Sequence, residues 1–339
     1  VGSEMCIRDR DHMVACVRPK LLIFIGHVFT PFCSILWDKW GLLCLFFAAA
    51  LPSRKDRLEI CPFLVYNRFC SCESYWKRFD CIMVKAIFFD IDGTLVSFQT
   101  HTISPAVLEG LHRLREKGIR LFLSTGRHKV MSQSVRDLFP FDGCITLSGQ
   151  YCFAQDRVLR SVPFAPERVK ALVELMEHST IPCIFLEEED CYLVNPGPRA
   201  QVFPKQLAVP LPPSAPARRA EGRQGFQATA FLPREEQQAL GDPFPGLEVM
   251  RWHPDFVDII SPGGGKDQGM DAILHFFGIS LEDTMAFGDG ENDIPMLRHA
   301  HVGVAMGNAD ALVRSHADFV TGTVDEDGIL SALEHFGLL

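Results

Sequence analysis

The sequence predicts an α/β fold, a Rossmann-like parallel sheet core carrying an inserted α+β domain, and three observations support that prediction. Beyond Met83, short apolar runs ending in small or acidic residues alternate with longer stretches of helical period, the pattern of repeated βαβ units. Most of those runs are apolar at consecutive positions, as strands buried on both faces must be. Between about residues 163 and 255 the alternation gives way to one helical stretch and several short strand-like runs, which marks a separate insertion. At 339 residues, 47% apolar and 22% charged, the chain can bury such a core, and collagen-like, disordered and miniature disulfide-stapled classes are excluded. The net charge of -9 argues against holding nucleic acid by bulk attraction, so any phosphate must be gripped locally.

Residues 1–82 differ in kind from the remainder of the chain. They hold 11 Lys and Arg against 8 Asp and Glu, eight of the twelve cysteines and three of the four tryptophans, whereas residues 83–339 are acidic. The chain begins with Val1, and its opening VGSEMCIRDR resembles translated sequencing-adapter read-through; residues 1–82 are therefore expected to be a spurious or non-native extension, with Met83 the natural start. Leu21 to Trp37 is an apolar run of 17 residues interrupted by Gly26, His27 and Pro31, at the lower limit for crossing a bilayer, and no membrane partner is expected. Cys61, Cys70, Cys72 and Cys81 lack paired C-x-x-C knuckles and are not read as a zinc site. Cys144, Cys152, Cys183 and Cys191 lie in or beside apolar runs, which suits reduced thiols of the cytoplasm, the expected location.

Taken in order, the strand-like runs are Val84 to Phe89, Ile119 to Leu123, Gly143 to Leu147, Phe256 to Ile260, Thr284 to Phe287 and His301 to Ala305. Pro105 to Lys117 places Val107, Leu108, Leu111 and Leu114 on one helical face, and Lys266 to Phe277 does the same with Met270, Ile273, Leu274 and Phe277. The insertion offers a helix at Pro166 to His178 and strands around Cys183 to Leu186, Cys191 to Val194 and Gln227 to Phe231. Pro196 to Pro216 holds seven prolines in 21 residues and is expected to be an extended, irregular connection. Arg199, Arg218, Arg219 and Arg223 near it are read as solvated surface charge. The expected division is a core of 83–162 and 256–339 with 163–255 inserted for substrate selection.

In an open parallel sheet the ligand sits beyond the carboxyl ends of the strands, so the residues after each run are the first suspects. Asp90-Ile91-Asp92-Gly93-Thr94 releases two carboxylates from a wholly apolar strand, more than capping a turn requires. Ser124-Thr125-Gly126-Arg127 offers a hydroxyl and backbone N–H groups as an anion seat. Gly263-Gly264-Gly265-Lys266 presents an ammonium, but Asp267 stands where a P-loop needs Ser or Thr, and that reading fails. Gly288-Asp289-Gly290-Glu291-Asn292-Asp293 again delivers carboxylates through glycines. Gathered at one site, Asp90, Asp92, Asp289 and Asp293 repel each other and any phosphate unless a divalent cation sits among them; Mg2+, which takes hard oxygen ligands, is the natural choice.

These four ordered motifs, D-x-D-G-T, T-G-R, a downstream Lys and G-D-x-x-N-D, resemble the haloacid dehalogenase superfamily, specifically its Cof-type phosphatases with an α+β cap domain inserted between the second and third motifs. The resemblance covers essentially all of 83–339 and implies a Mg2+-dependent phosphatase acting on small phosphorylated metabolites, sugar phosphates foremost, as a monomer or homodimer. It implies Asp90 as the nucleophile that becomes an aspartyl-phosphate and Asp92 as the group that protonates the leaving oxygen and then activates water. Thr125, with Gly126, and Asn292 would hold phosphoryl oxygens, and Lys266 would neutralise the transferring group. The metal would take Asp90, the backbone carbonyl of Asp92, and Asp289, with Asp293 in support. Ser148-Gly149 stands where many relatives have Asn-Gly, and Lys266-Asp267 where Lys-Gly is common; neither removes a catalytic group. His128 and His253 are read as structural. A phosphotransferase or phosphomutase, or a non-catalytic phosphometabolite-binding protein, are the rival functions.

Overall fold

The computed structural model describes residues 83–339 together with two short strands near the N-terminus, β1 (Met5–Arg8) and β2 (Val14–Val17), which pair antiparallel. The chain divides into two units, Val1–Lys77 and Arg78–Leu339. The expectations placed on the first 82 residues otherwise lie outside the described residues.

The larger unit is built on an eight-stranded sheet. Its strands are β3 (Ala86–Phe89), β4 (Arg120–Ser124), β5 (Gly143–Thr146), β6 (Tyr151–Ala154), β7 (Arg157–Ser161), β13 (Thr284–Gly288), β14 (Val302–Ala305) and β15 (Phe319–Val320), in the order β15-β14-β13-β3-β4-β5-β6-β7. The six strands from β15 to β5 are parallel, and β6 and β7 extend the edge as an antiparallel hairpin. Consecutive apolar residues split between two faces: Ile87 and Phe89 pack with Leu111 and Leu114 of α1 (Pro105–Glu116) and with Ile329 and Leu333 near the C-terminus. On the other side, Ala86 and Phe88 pack with Met270 and Ile273 of α4 (Lys266–Phe277) and with Leu297. β3 lies between β4 and β13, so the chain reverses its direction of travel across the sheet there, and a crevice opens at the carboxyl ends of these three strands.

The inserted region forms a five-stranded antiparallel sheet in the order β11-β12-β10-β8-β9, with β8 (Cys183–Glu187), β9 (Cys191–Val194), β10 (Gly225–Ala230), β11 (Glu248–His253) and β12 (Phe256–Ile260). One face is covered by α2 (Pro166–Glu177) through Val169, Leu172 and Met176. The other packs on α3 (Val202–Leu207) and on Met131, Leu147 and Tyr151 of the parallel-sheet domain.

Two sequence expectations need correction here. Phe256 to Ile260, expected among the parallel strands, is β12 of the inserted sheet. Its buried, nearly continuous apolar pattern reports burial on both faces and not the sheet that supplies it. The proline-rich Pro196 to Pro216 is not wholly irregular, since α3 forms within it. Pro204 is at the third helical position, where no intrahelical N–H bond is lost, and Phe203 and Leu207 anchor the turn in the junction core. The strand β11 and the β6–β7 hairpin were not foreseen.

Candidate active site

The residues singled out from four separate loops meet at one end of the parallel sheet. Asp90 leaves β3, Thr125 and Gly126 follow β4, Asp289 to Asp293 follow β13, and all line a cavity of about 750 Å3 whose opposite wall is built by Pro233, Arg234, Trp252 and His253 of the inserted domain. Lys266, the first residue of α4, is completely buried beneath this floor, where its Nζ donates to Asp90 Oδ1 and to Asp293 Oδ1, each at 2.5 Å. Oxygens of Asp90, Asp289 and Asp293 lie within 4.8 Å of one another.

Each carboxylate is also held from behind. Asp293 Oδ2 accepts the backbone N–H groups of Asp289 (3.0 Å) and Gly290 (2.9 Å), which folds the loop after β13 onto itself. Asp289 accepts from Thr94 Oγ1 (2.9 Å) and from Asn308 Nδ2 (3.1 Å). Three carboxylates against one ammonium leave the cluster short of positive charge. Burial, followed by repulsion from Asp293, pushes the Asp90 carboxyl up to about 7, and burial with repulsion from Asp90 raises Asp289 well above the ordinary carboxylate range. A divalent cation suits this all-oxygen donor set and would return both groups to their charged forms.

The sequence pattern of the haloacid dehalogenase-like hydrolases matches residues 87–333. This chain is a haloacid dehalogenase-like hydrolase. It is 30% identical over 256 residues to the putative phosphatase YkrA of Bacillus subtilis, covering 75% of this chain and 98% of YkrA. It is 31% identical over 272 residues to the pyridoxal phosphate phosphatase YbhA of Escherichia coli, covering 72% and 96%. Among solved structures it resembles the subclass IIB sugar phosphatase BT4131, with 42% identity, a TM-score of 0.70, and coverage of 76% of this chain and 100% of that one. This haloacid dehalogenase-like hydrolase is therefore an enzyme, of the phosphatase and phosphotransferase class of its superfamily.

Within this hydrolase, the site assembles Asp90, Thr125, Gly126, Lys266, Asp289, Asn292 and Asp293 as their spacing suggested. Asp92, expected to offer a metal its backbone carbonyl and not its side chain, lines the cavity with its carboxylate paired to Arg127, whose Nε and Nη2 donate to its two oxygens at 2.8 and 2.5 Å. The i and i+2 positions point one carboxylate at Lys266 and the acidic cluster and the other at Arg127. Arg127 also donates to the carbonyl oxygens of Met131 (3.2 Å) and of Leu207 in the inserted domain (3.5 Å).

Sequence reasoning assigned no role to Thr94, Arg127, Asn308 or Trp252. Thr94 and Arg127 were inside the quoted motifs, and Asn308 follows the end of β14, so the carboxyl-end rule already pointed to it. Nothing in the sequence placed Trp252 at the cavity. His128 is structural: its buried Nε2–H donates to the carbonyl oxygens of Glu187 (2.9 Å) and Glu188 (3.1 Å), tying the two domains, and burial lowers its basicity. His253 stacks on Phe256 and also borders the cavity. Arg199, Arg218, Arg219 and Arg223 form ion pairs on the surface of the inserted domain.

Proposed function

We propose that the chain hydrolyses small phosphorylated metabolites, sugar phosphates foremost, in a Mg2+-dependent reaction through an aspartyl-phosphate on Asp90. The observation that carries this reading is the buried Lys266 bridging Asp90 and Asp293 beside Asp289, at the floor of a cavity also lined by Thr125, Gly126 and Asn292. Asp90, Asp289, Asp293 and the backbone carbonyl of Asp92 would hold the ion, which supplies charge neutralisation for the phosphoryl oxygens when bound.

In this reading a carboxylate oxygen of Asp90 attacks phosphorus, the ester P–O bond breaks, and the leaving oxygen takes a proton from Asp92. Water then attacks the aspartyl-phosphate and gives its proton back to Asp92, which frees phosphate and restores Asp90. Both oxygens of Asp92 accept from Arg127, which fixes the carboxylate's orientation and leaves each oxygen a second lone pair for the proton. Thr125 Oγ1, the Gly126 N–H and Asn292 orient the phosphoryl oxygens, and Lys266 keeps the nucleophile charged. The inserted domain selects the leaving group. The named relatives YkrA and YbhA and the sugar phosphatase BT4131 support the reaction class. We place the enzyme in the cytoplasm, in keeping with the free, buried Cys144, Cys152 and Cys183.

The test is release of inorganic phosphate by the full-length chain from a panel of phosphorylated metabolites, with Mg2+ and with EDTA. Stoichiometric phosphate that depends on the metal is expected. An isomerised sugar phosphate without free phosphate would mean phosphoryl transfer instead, and binding without turnover would mean a non-catalytic role.

A further inference from the structure

Asp258 belongs to none of the four motifs, yet it is a carboxylate only 1% exposed in the middle of β12, on the face of the inserted sheet that packs against the catalytic domain. Three structural observations converge on it. Thr229, its cross-strand partner on β10, donates from Oγ1 to Oδ1 at 2.7 Å. Trp252 donates from its indole Nε1 to Oδ2 at 3.0 Å. A Cβ built on Gly126 would stand 2.9 Å from that same Oδ2 and 3.8 Å from Trp252 Nε1. Gly126 does not have a positive φ, so glycine is needed there for space: the carboxylate of one domain fills the position a side chain on the phosphoryl-binding turn would take.

Trp252 itself is half-buried and lines the cavity, and its ring meets Phe256 edge-on with centroids 4.7 Å apart. It lies where the β11–β12 register shifts between Met250 and His253, the kind of irregularity that re-aims a side chain. A ring fixed by packing on one side and by a charge-assisted hydrogen bond on the other has one position in the wall.

We propose that Asp258 is a positioning residue for leaving-group selection, fixing the indole of Trp252 in the cavity wall against the turn that carries Thr125 and Gly126. This rests on the phosphatase reading above. Asn at 258 would keep the shape but direct an N–H group at one of two donors, and Phe at 252 would keep a ring but lose the indole N–H.

The experiment compares the full-length wild type, Asp258→Asn, Trp252→Phe and the double variant, with Mg2+, on para-nitrophenyl phosphate and on acetyl phosphate, whose acyl group offers little to a distant wall. The readout is the ratio of the two kcat/KM values. Each single variant is expected to lower that ratio about fivefold or more, through KM for the aryl ester, and the double variant to match a single one within about twofold, because both changes break one linkage. An unchanged ratio in Trp252→Phe would overturn the proposal even if Asp258→Asn failed to fold. So would a double variant whose loss is the product of the two singles, the result expected of two independent structural defects. A wild type inert toward both substrates would instead remove the phosphatase reading, and this inference with it.

Discussion

At Asp90, burial disfavours the charge and Lys266 favours it, and the presence of Asp293 and Asp92 tips the balance toward the proton. A carboxylate proposed as nucleophile and held this way is the kind of group whose removal cannot be compensated by its neighbours. Asp90→Asn preserves shape and a hydrogen-bond acceptor for Lys266 but not the attacking oxygen. It should lower kcat by roughly 10^4-fold or more while the far-ultraviolet circular dichroism stays that of the wild type. Retention of more than about a hundredth of the activity would take Asp90 out of the nucleophile role. The lysine and the carboxylates were legible in the sequence because each follows an apolar run. The Asp92–Arg127 pair was not, because a sequence says which residues leave a strand but not which way each side chain turns.

At the level of elements, the site depends on loops that touch through backbone. The turn Leu147–Gly149 after β5 packs directly on the glycine run that leads into α4. Gly149 has φ +90°, and a Cβ there would stand 1.9 Å from the carbonyl oxygen of Gly265, the residue immediately before Lys266. Gly149→Ala should therefore cost about 3 kcal/mol or more of stability, because positive φ and a backbone clash add. It should also reduce phosphate release in the fraction that folds, by displacing the start of α4. A thermal midpoint equal to the wild type would show that the two loops can separate without loss. Gly149 thus has a packing role that the motif alone did not reveal. The helices α1, α2 and α4 were legible from their apolar stripes to within a residue or so of their ends. β11 was not, since Glu248–His253 mixes Arg251 and His253 with its apolar residues and becomes a strand only by pairing with β12.

Across the whole molecule, the acidic cluster links stability to pH and metal. With no cation bound, the folded chain keeps the Asp90 proton between the ordinary value of 3.8 and about 7, where the unfolded chain has released it. This group's stabilising contribution is therefore complete below about pH 4 and is lost as pH rises toward 7. Saturating Mg2+ at about a hundred times its Kd should raise the unfolding midpoint by about 5–10 °C at pH 7.5. It should do less at pH 5, where binding must first displace protons. Thermal melts at both pH values, with Mg2+ and with EDTA, check this, and an equal gain at both would contradict the assignment of Asp90 to the cation.

The order of residues along the chain was enough to settle the class of fold and to single out the four strand-end motifs. Apolar runs and amphipathic stripes are local consequences of burial, and acids set after strands must share one crevice once the strands are parallel. It took the folded chain to establish that Phe256–Ile260 joins the inserted sheet, that Asp92 turns to Arg127, and that the Asp258 carboxylate accepts from the Trp252 indole beside the cavity. Each of these depends on a partner brought close by folding, and the energy of pairing two such groups leaves no periodicity in the sequence of either.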